Sequence, residues 1–130
     1  MSQSTEKPGP EKAASGGHGT RERLVTDAEL ESALDFLRDS ARALGEAKSR
    51  AVKADHMCKV IEALMSKASD EKSAEARKAE ARSSPEYLDA VNEDAFAAGE
   101  LAKMYALREA AALKIEAWRS SQANYRAMKI

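Results

Sequence analysis

The side chains best suited to chemistry in this sequence are the imidazole of His56 and the thiol of Cys58, the only cysteine, two residues apart. A thiol beside an imidazole suits nucleophilic catalysis or a soft metal site. The surrounding residues are helix formers, however, and two positions along a helix separate side chains by about 200°, so the pair cannot grip one metal or one substrate. Cys58 therefore reads as a small core residue and His56 as a solvated or boundary one. His18 lies in a Gly- and Ser-rich stretch and reads as incidental. No Gly-rich phosphate loop, zinc-ligand spacing or nucleophile elbow occurs. The five acids of residues 84–102 read as a solvated helix face rather than an acid–base pair. The expectation is a protein with no catalytic residue, metal or cofactor, and not an enzyme.

A second group lies near the C-terminus. Lys114, Trp118, Arg119, Gln122, Asn124, Tyr125 and Arg126, followed by Lys129, combine bases, amides and two aromatics. Bases contact phosphates and aromatic rings stack on unpaired bases, so this segment is a candidate for single-stranded nucleic acid or for a protein partner. The other reading is structural: Trp118 and Tyr125 stand seven apart on one helix face, and the bases answer the acidic start of the first helix. A net charge of −1 gives the whole chain no general attraction for a polyanion.

These residues need elements to hold them. At 130 residues the chain has room for one domain. Aromatics make up only 5% and Val and Ile are scarce, which leaves little from which to build strands. Residues 1–25, punctuated by Pro8-Gly9-Pro10 and Ser15-Gly16-Gly17, read as a disordered tail. Thr26 to Glu29 has capping-box spacing, and a first helix is expected over about 27–82. Its apolar stripe passes through Leu30, Leu34, Leu37, Ala41, Leu44, Ala47, Ala51, Ala54, Cys58, Ile61, Met65 and Ala68. Two consecutive steps of three around Gly45 suggest local overwinding or a mild kink there, and a break near Asp70 is the rival to a continuous helix. Ser84 as N-cap and Pro85 at the first helical position mark a turn at 83–85 and a second helix over about 85–127. That helix carries Leu88, Val91, Ala95, Ala98, Leu101, Met104, Ala111, Ile115, Trp118 and Tyr125, with Arg108 and Gln122 on the same seam.

The expected fold is all-α: a long antiparallel two-helix hairpin, coiled-coil-like, completing a bundle by dimerisation. A reversal at Ser83–Ser84 sets Ile61 against Ala106, Met65 against Ala102 and Leu44 against Ala123, and brings Asp55 to Arg108. An Asp55–Arg108 seam pair is therefore expected, pinning register more than adding stability. Local charge agrees: residues 27–46 are net −4 and residues 103–130 net +4. One stripe per helix leaves Phe36, Phe96, Tyr105 and Leu107 off the seam, so a homodimer or another protein partner is expected to cover them.

The segments Ala33–Ala41 and Ile115–Arg126, with the hinge Ser84-Pro85-Glu86-Tyr87 between them, resemble small, mostly uncharacterised helical proteins of tailed phages and prophages. Such proteins often lie among early genes for recombination and single-strand handling. The resemblance covers roughly residues 30–127. It implies that Trp118, Arg119, Gln122, Asn124 and Arg126 belong to a shared feature, and it brings no catalytic residue. With no secretory signal, no membrane-length apolar run and no disulfide, the implied setting is the cytoplasm of a bacterial host. The leading expectation is a non-enzymatic phage or prophage accessory protein acting through protein–protein contact. The alternatives are a single-stranded nucleic-acid-binding accessory to recombination and a structural or assembly coiled coil.

Overall fold

The computed structural model describes residues 24–128, and most of the expected N-terminal tail lies outside them. The described residues form four helices and no strand: α1 over Asp27–Asp39, α2 over Ala41–Ala68, α3 over Ala74–Arg82 and α4 over Pro85–Met128. The start of α1 follows its sequence. Thr26 Oγ1 accepts from the Glu29 amide at 3.1 Å, and the Glu29 carboxylate accepts from the Thr26 amide at 2.9 Å, closing the capping box.

The first helix of the sequence reading is thus three helices. α1 gives way to α2 at Ser40, not at Gly45, which lies inside α2. The i→i+4 ladder continues on either side, with the Ser40 amide donating to Phe36 O and the Leu44 amide to Ser40 O, both at 2.9 Å. α2 ends at a five-residue turn, Ser69 to Ser73, rich in side chains that compete with helical hydrogen bonding. Ser69 Oγ accepts from the Glu71 amide at 3.1 Å and donates to the Glu80 carboxylate. Arg77 Nη1 donates to the carbonyls of Glu71 and Lys72, each at 3.0 Å, and Ser73 caps α3 by accepting from the Ala76 amide.

The direction of the chain reverses at this turn. α3 packs on α2, and α4 packs on α2 and then on α1. The bonds that cross between arms step in opposite senses along the two: Glu62 to Arg82, Arg50 to Glu93, Ser40 to Arg108 and Asp27 to Trp118. The arms are therefore antiparallel, with α1 and α2 in one and α3 and α4 in the other. The expected reversal at 83–85 is only an offset within the second arm. There Ser83 and Ser84 amides reach back three residues to Glu80 O and Ala81 O, and Ser84 Oγ caps α4 by accepting from the Tyr87 amide at 3.1 Å. With the turn moved, every partner on the second arm lies about 22 positions earlier than a reversal at Ser83–Ser84 gives, close to three heptads.

The seam between the arms follows alternating steps of three and four, from Leu30 to Met65 and from Tyr87 to Gln122. Two stretches of it differ from the expected stripes. Ala33 and Ser40 are buried where Leu34 and Ala41 were expected. Tyr87, Ala90, Asp94 and Ala97 take the places assigned to Leu88, Val91, Ala95 and Ala98, which are exposed. The buried residues among those described are Ala33, Ala54, Ala81, Ala97, Ala111 and Ser40. Larger seam side chains such as Leu37, Ile61, Leu101 and Ile115 are half-buried at the edges of this alanine line.

This register makes a simple distance prediction. In a Cys58→Ala background diluted with unlabelled chain, spin labels at Lys59→Cys and Asn92→Cys lie close together. Labels at Lys59→Cys and Glu109→Cys lie roughly 25 Å farther apart along the helix axis. The reverse order in pulsed electron resonance would restore the reversal at Ser83–Ser84.

Candidate functional site

Arg108 is a charged residue of the α4 seam, and the structure gives it a different partner from the one expected. Its Nη1 donates to Leu37 O at 2.8 Å and to Ser40 Oγ at 2.6 Å, in a partly buried position. Leu37 lies in the last turn of α1, where carbonyls lack helical donors, so the guanidinium from the opposite arm acts as a C-terminal cap. A side chain reaching into the backbone at this point is also a sufficient cause for the break between α1 and α2. Asp55 sits fifteen residues farther along the first arm, exposed, and the expected Asp55–Arg108 pair does not form. The turn at Ser69–Ser73 carries Arg108 past Asp55 to Ser40.

Asp55 acts elsewhere. Burial first, then the carboxylates of Asp94 and Asp55, push the Cys58 thiol up from its ordinary range. A thiol so held is protonated at neutral pH and a poor nucleophile. Among the described residues no group of three His, Cys, Asp or Glu side chains could hold a metal ion. No helix there is long and apolar enough to cross a membrane.

The C-terminal candidates do not converge. Trp118 is half-buried on the seam and its Nε1 donates to Asp27 Oδ1 at 3.2 Å, which ties its indole to the start of α1. Arg119 is exposed and turned along its own helix, with Nη1 donating to Glu116 at 2.8 Å. Gln122 is a half-buried seam residue, while Asn124, Tyr125 and Arg126 are exposed on different sides of α4. Lys114 lines a shallow groove with Ser32, Phe36, Leu107 and Ala110. Of the seven, the fold brings Trp118 and Gln122 together on the seam and scatters the rest.

Two outer faces flank the seam. One carries three shallow open grooves, among them the one beside Lys114 and one beneath Arg50, Met57 and Glu93. It is crossed by an ion pair. Arg50 Nε donates to Glu93 at 2.8 Å, and its guanidinium lies 4.9 Å from the centre of the Phe96 ring. The Arg50 hydrogen bond holds the Glu93 carboxyl below the usual glutamate range. The other face is of a different kind. On α4, Leu88, Val91, Asn92, Ala95, Ala98, Gly99, Ala102, Tyr105 and Ala106 occupy adjoining helical positions away from the seam. All nine are exposed and none is charged, in a chain of which 33% is charged. Four of these residues, Leu88, Val91, Ala95 and Ala98, belong to the seam expected from periodicity, which conceals this surface. The signal was present: apolar residues recur at 88, 91, 95, 98, 102 and 105 in one unbroken series of three- and four-residue steps beside the seam series.

Comparison with protein-family models, with curated proteins and with solved structures finds no match to this chain.

The seam knot is directly testable. Ser40→Ala and Arg108→Ala each leave buried polar groups short of a partner and cost about 1–3 kcal/mol in urea unfolding. The double change Ser40→Ala with Arg108→Leu makes an apolar seam and recovers most of that loss. Unchanged stability in both single variants would mean that the knot contributes nothing.

Proposed function

We propose that this protein is a non-enzymatic helical interaction module, whose outer faces complete their burial against another pair of helices. The observation that carries this is the contrast between its core and its surface. Alanine and one serine are all that the described residues bury, while Leu64, Leu88, Phe96, Tyr105 and Leu113 remain roughly half exposed or more. Apolar surface marks a contact site where it is contiguous, as along Leu88, Val91, Ala95, Ala98, Ala102 and Tyr105 of α4, and single exposed residues do not. Arg108 is engaged on Leu37 and Ser40, Trp118 on Asp27 and Arg119 on Glu116, and Cys58 lies on the seam, which supports binding over catalysis.

The oligomer that fits this reading is a four-helix bundle of two chains. As a setting we propose the phage or prophage accessory role that residues 33–41 and 115–126 resemble, in the cytoplasm of a bacterial host. The placement of Trp118 against Asp27 and of Arg119 against Glu116 weighs against single-stranded nucleic acid, because both side chains already have partners within the chain.

Association shifts apparent stability by mass action, so the thermal midpoint of the full chain rises with protein concentration, or on addition of a stoichiometric protein partner. Calorimetry across a roughly hundredfold dilution range reads this directly. A cooperative monomer whose midpoint is independent of concentration, and which retains no partner at defined stoichiometry, overturns the proposal.

A further inference from the structure

The seam of this hairpin fits two alignments of its arms, and the structure holds one of them. We propose that the hairpin is a two-register device. Arg108, on Leu37 O and Ser40 Oγ, latches the observed register, and its release lets the arms slide by three heptads and frees α1.

The seam residues serve both registers. In the observed one Leu44 stands opposite Leu101, Ala51 opposite Asp94 and Ala54 opposite Ala90. Beyond Met65 the same steps of three and four continue through Ala68, Lys72, Glu75 and Ala79. A slide of three heptads therefore sets Ala51 opposite Ile115, Ala54 opposite Ala111, Ile61 opposite Met104 and Ala68 opposite Ala97. The slid seam is at least as apolar through these positions as the observed one.

The joints of the chain fit the slide as well. Ser69–Ser73 holds no glycine or proline, so the helix can run through it. Ala41 to Arg82 then forms one helix nearly as long as α4 and reverses at Ser83–Ser84, where Ser84 already caps α4. The segment left over is α1, and the first arm already breaks at its end, at Ser40. α4 runs ten residues past Trp118, the partner of Asp27, so its last turns extend beyond α1. The slide lays Leu44 against Gln122 and Ala47 against Trp118.

Two seam charges separate the registers, in opposite directions. Arg108 meets its acceptors in the observed one. Asp94 is half-buried there beside Cys58 and takes part in no ion pair among the described residues. The slide brings Asp94 opposite Lys72, which is exposed in the turn. Each register thus pairs one seam charge and strands the other, which keeps the two alignments close in free energy and makes Arg108 the deciding contact. Packed helices that pass between discrete alignments are a known form of switch.

Pulsed electron resonance on the full chain reads the register, in the Cys58→Ala background diluted with unlabelled chain. Wild type is expected to show a short distance between labels at positions 59 and 92 and a long one between 59 and 109. Ser40→Ala with Arg108→Leu removes the latch without leaving a buried polar group. It brings the fraction with a short 59–109 distance to at least about a tenth of the molecules. Adding Lys72→Glu sets a second carboxylate against Asp94 in the slid register alone, and returns the chain to the observed one. Ser69→Ala with Ser73→Ala leaves the latch in place, weakens the turn and also raises the slid fraction. A latch-free chain, helical by circular dichroism, that keeps only the short 59–92 distance overturns the proposal, and so does a slide indifferent to Lys72→Glu. If the latch-free chain loses its helicity, the serine variant decides, and the absence of a slid fraction in it overturns the proposal.

Discussion

The turn from Ser69 to Ser73 is the constraint on which the rest of the structure depends. It is held by Arg77 on the carbonyls of Glu71 and Lys72, and by Ser69 bridging the Glu71 amide and the Glu80 carboxylate. Once the chain reverses there, the meeting points of the two arms are fixed by helical rise alone. Glu62 reaches Arg82, Arg50 reaches Glu93, and Trp118 reaches Asp27 near the far end. No single exposed ion pair among these is worth much to stability. Their common register is what matters, because it decides which side chains the seam hides and which it leaves outside.

The seam it hides is unusually thin. Alanines at 33, 54, 81, 97 and 111 are the buried apolar residues, so the helices approach closely and the longer side chains splay to the edges. Burying an alanine removes little apolar area compared with burying a leucine, so a line of alanines is a weak source of stability by itself. The apolar area that would ordinarily make a core lies on the outer faces instead. Weak internal burial and strong outer exposure are therefore one fact about this chain, and association is the physical route by which both are resolved.

The helical character, the Thr26 capping box and the Ser84 cap of α4 were all legible in the sequence, because each depends on residues three or four apart. The turn was harder to read. Ser69–Ser73 holds no proline or glycine, whereas Ser83-Ser84-Pro85 does hold the stronger local signal. A proline at the first helical position starts a helix without dictating the direction from which the chain arrives. The seam was misread for a related reason. At residues 33–34 and 90–91 the smaller of two neighbours lies inside, Ala33 rather than Leu34 and Ala90 rather than Val91, against the preference for the more apolar one. Ser40 lies inside where it meets Arg108, and Tyr87, Asp94 and Ala97 lie inside because the three- and four-residue steps of the seam pass through them.

The size of that register error is informative. A heptad seam can slide by whole heptads and still set apolar residues against apolar residues, so periodicity alone does not select one alignment. The alignment with its reversal at Ser83–Ser84 differs from the observed one by about three heptads, and most seam residues stay on the seam in both. Arg108 distinguishes them. In the slipped alignment it lies against Cys58 and Ile61, and the Leu37 carbonyl and Ser40 hydroxyl are left without its donors. In the observed one both acceptors are met at once, at 2.8 and 2.6 Å. Leaving buried polar groups unpaired is costly where pairing them is only mildly favourable, so the knot acts mainly by making the wrong alignment worse. The break at Ser40 follows from the same requirement. A serine at a seam position and an opening between α1 and α2 are what allow an arginine from the opposite arm to reach a main-chain carbonyl.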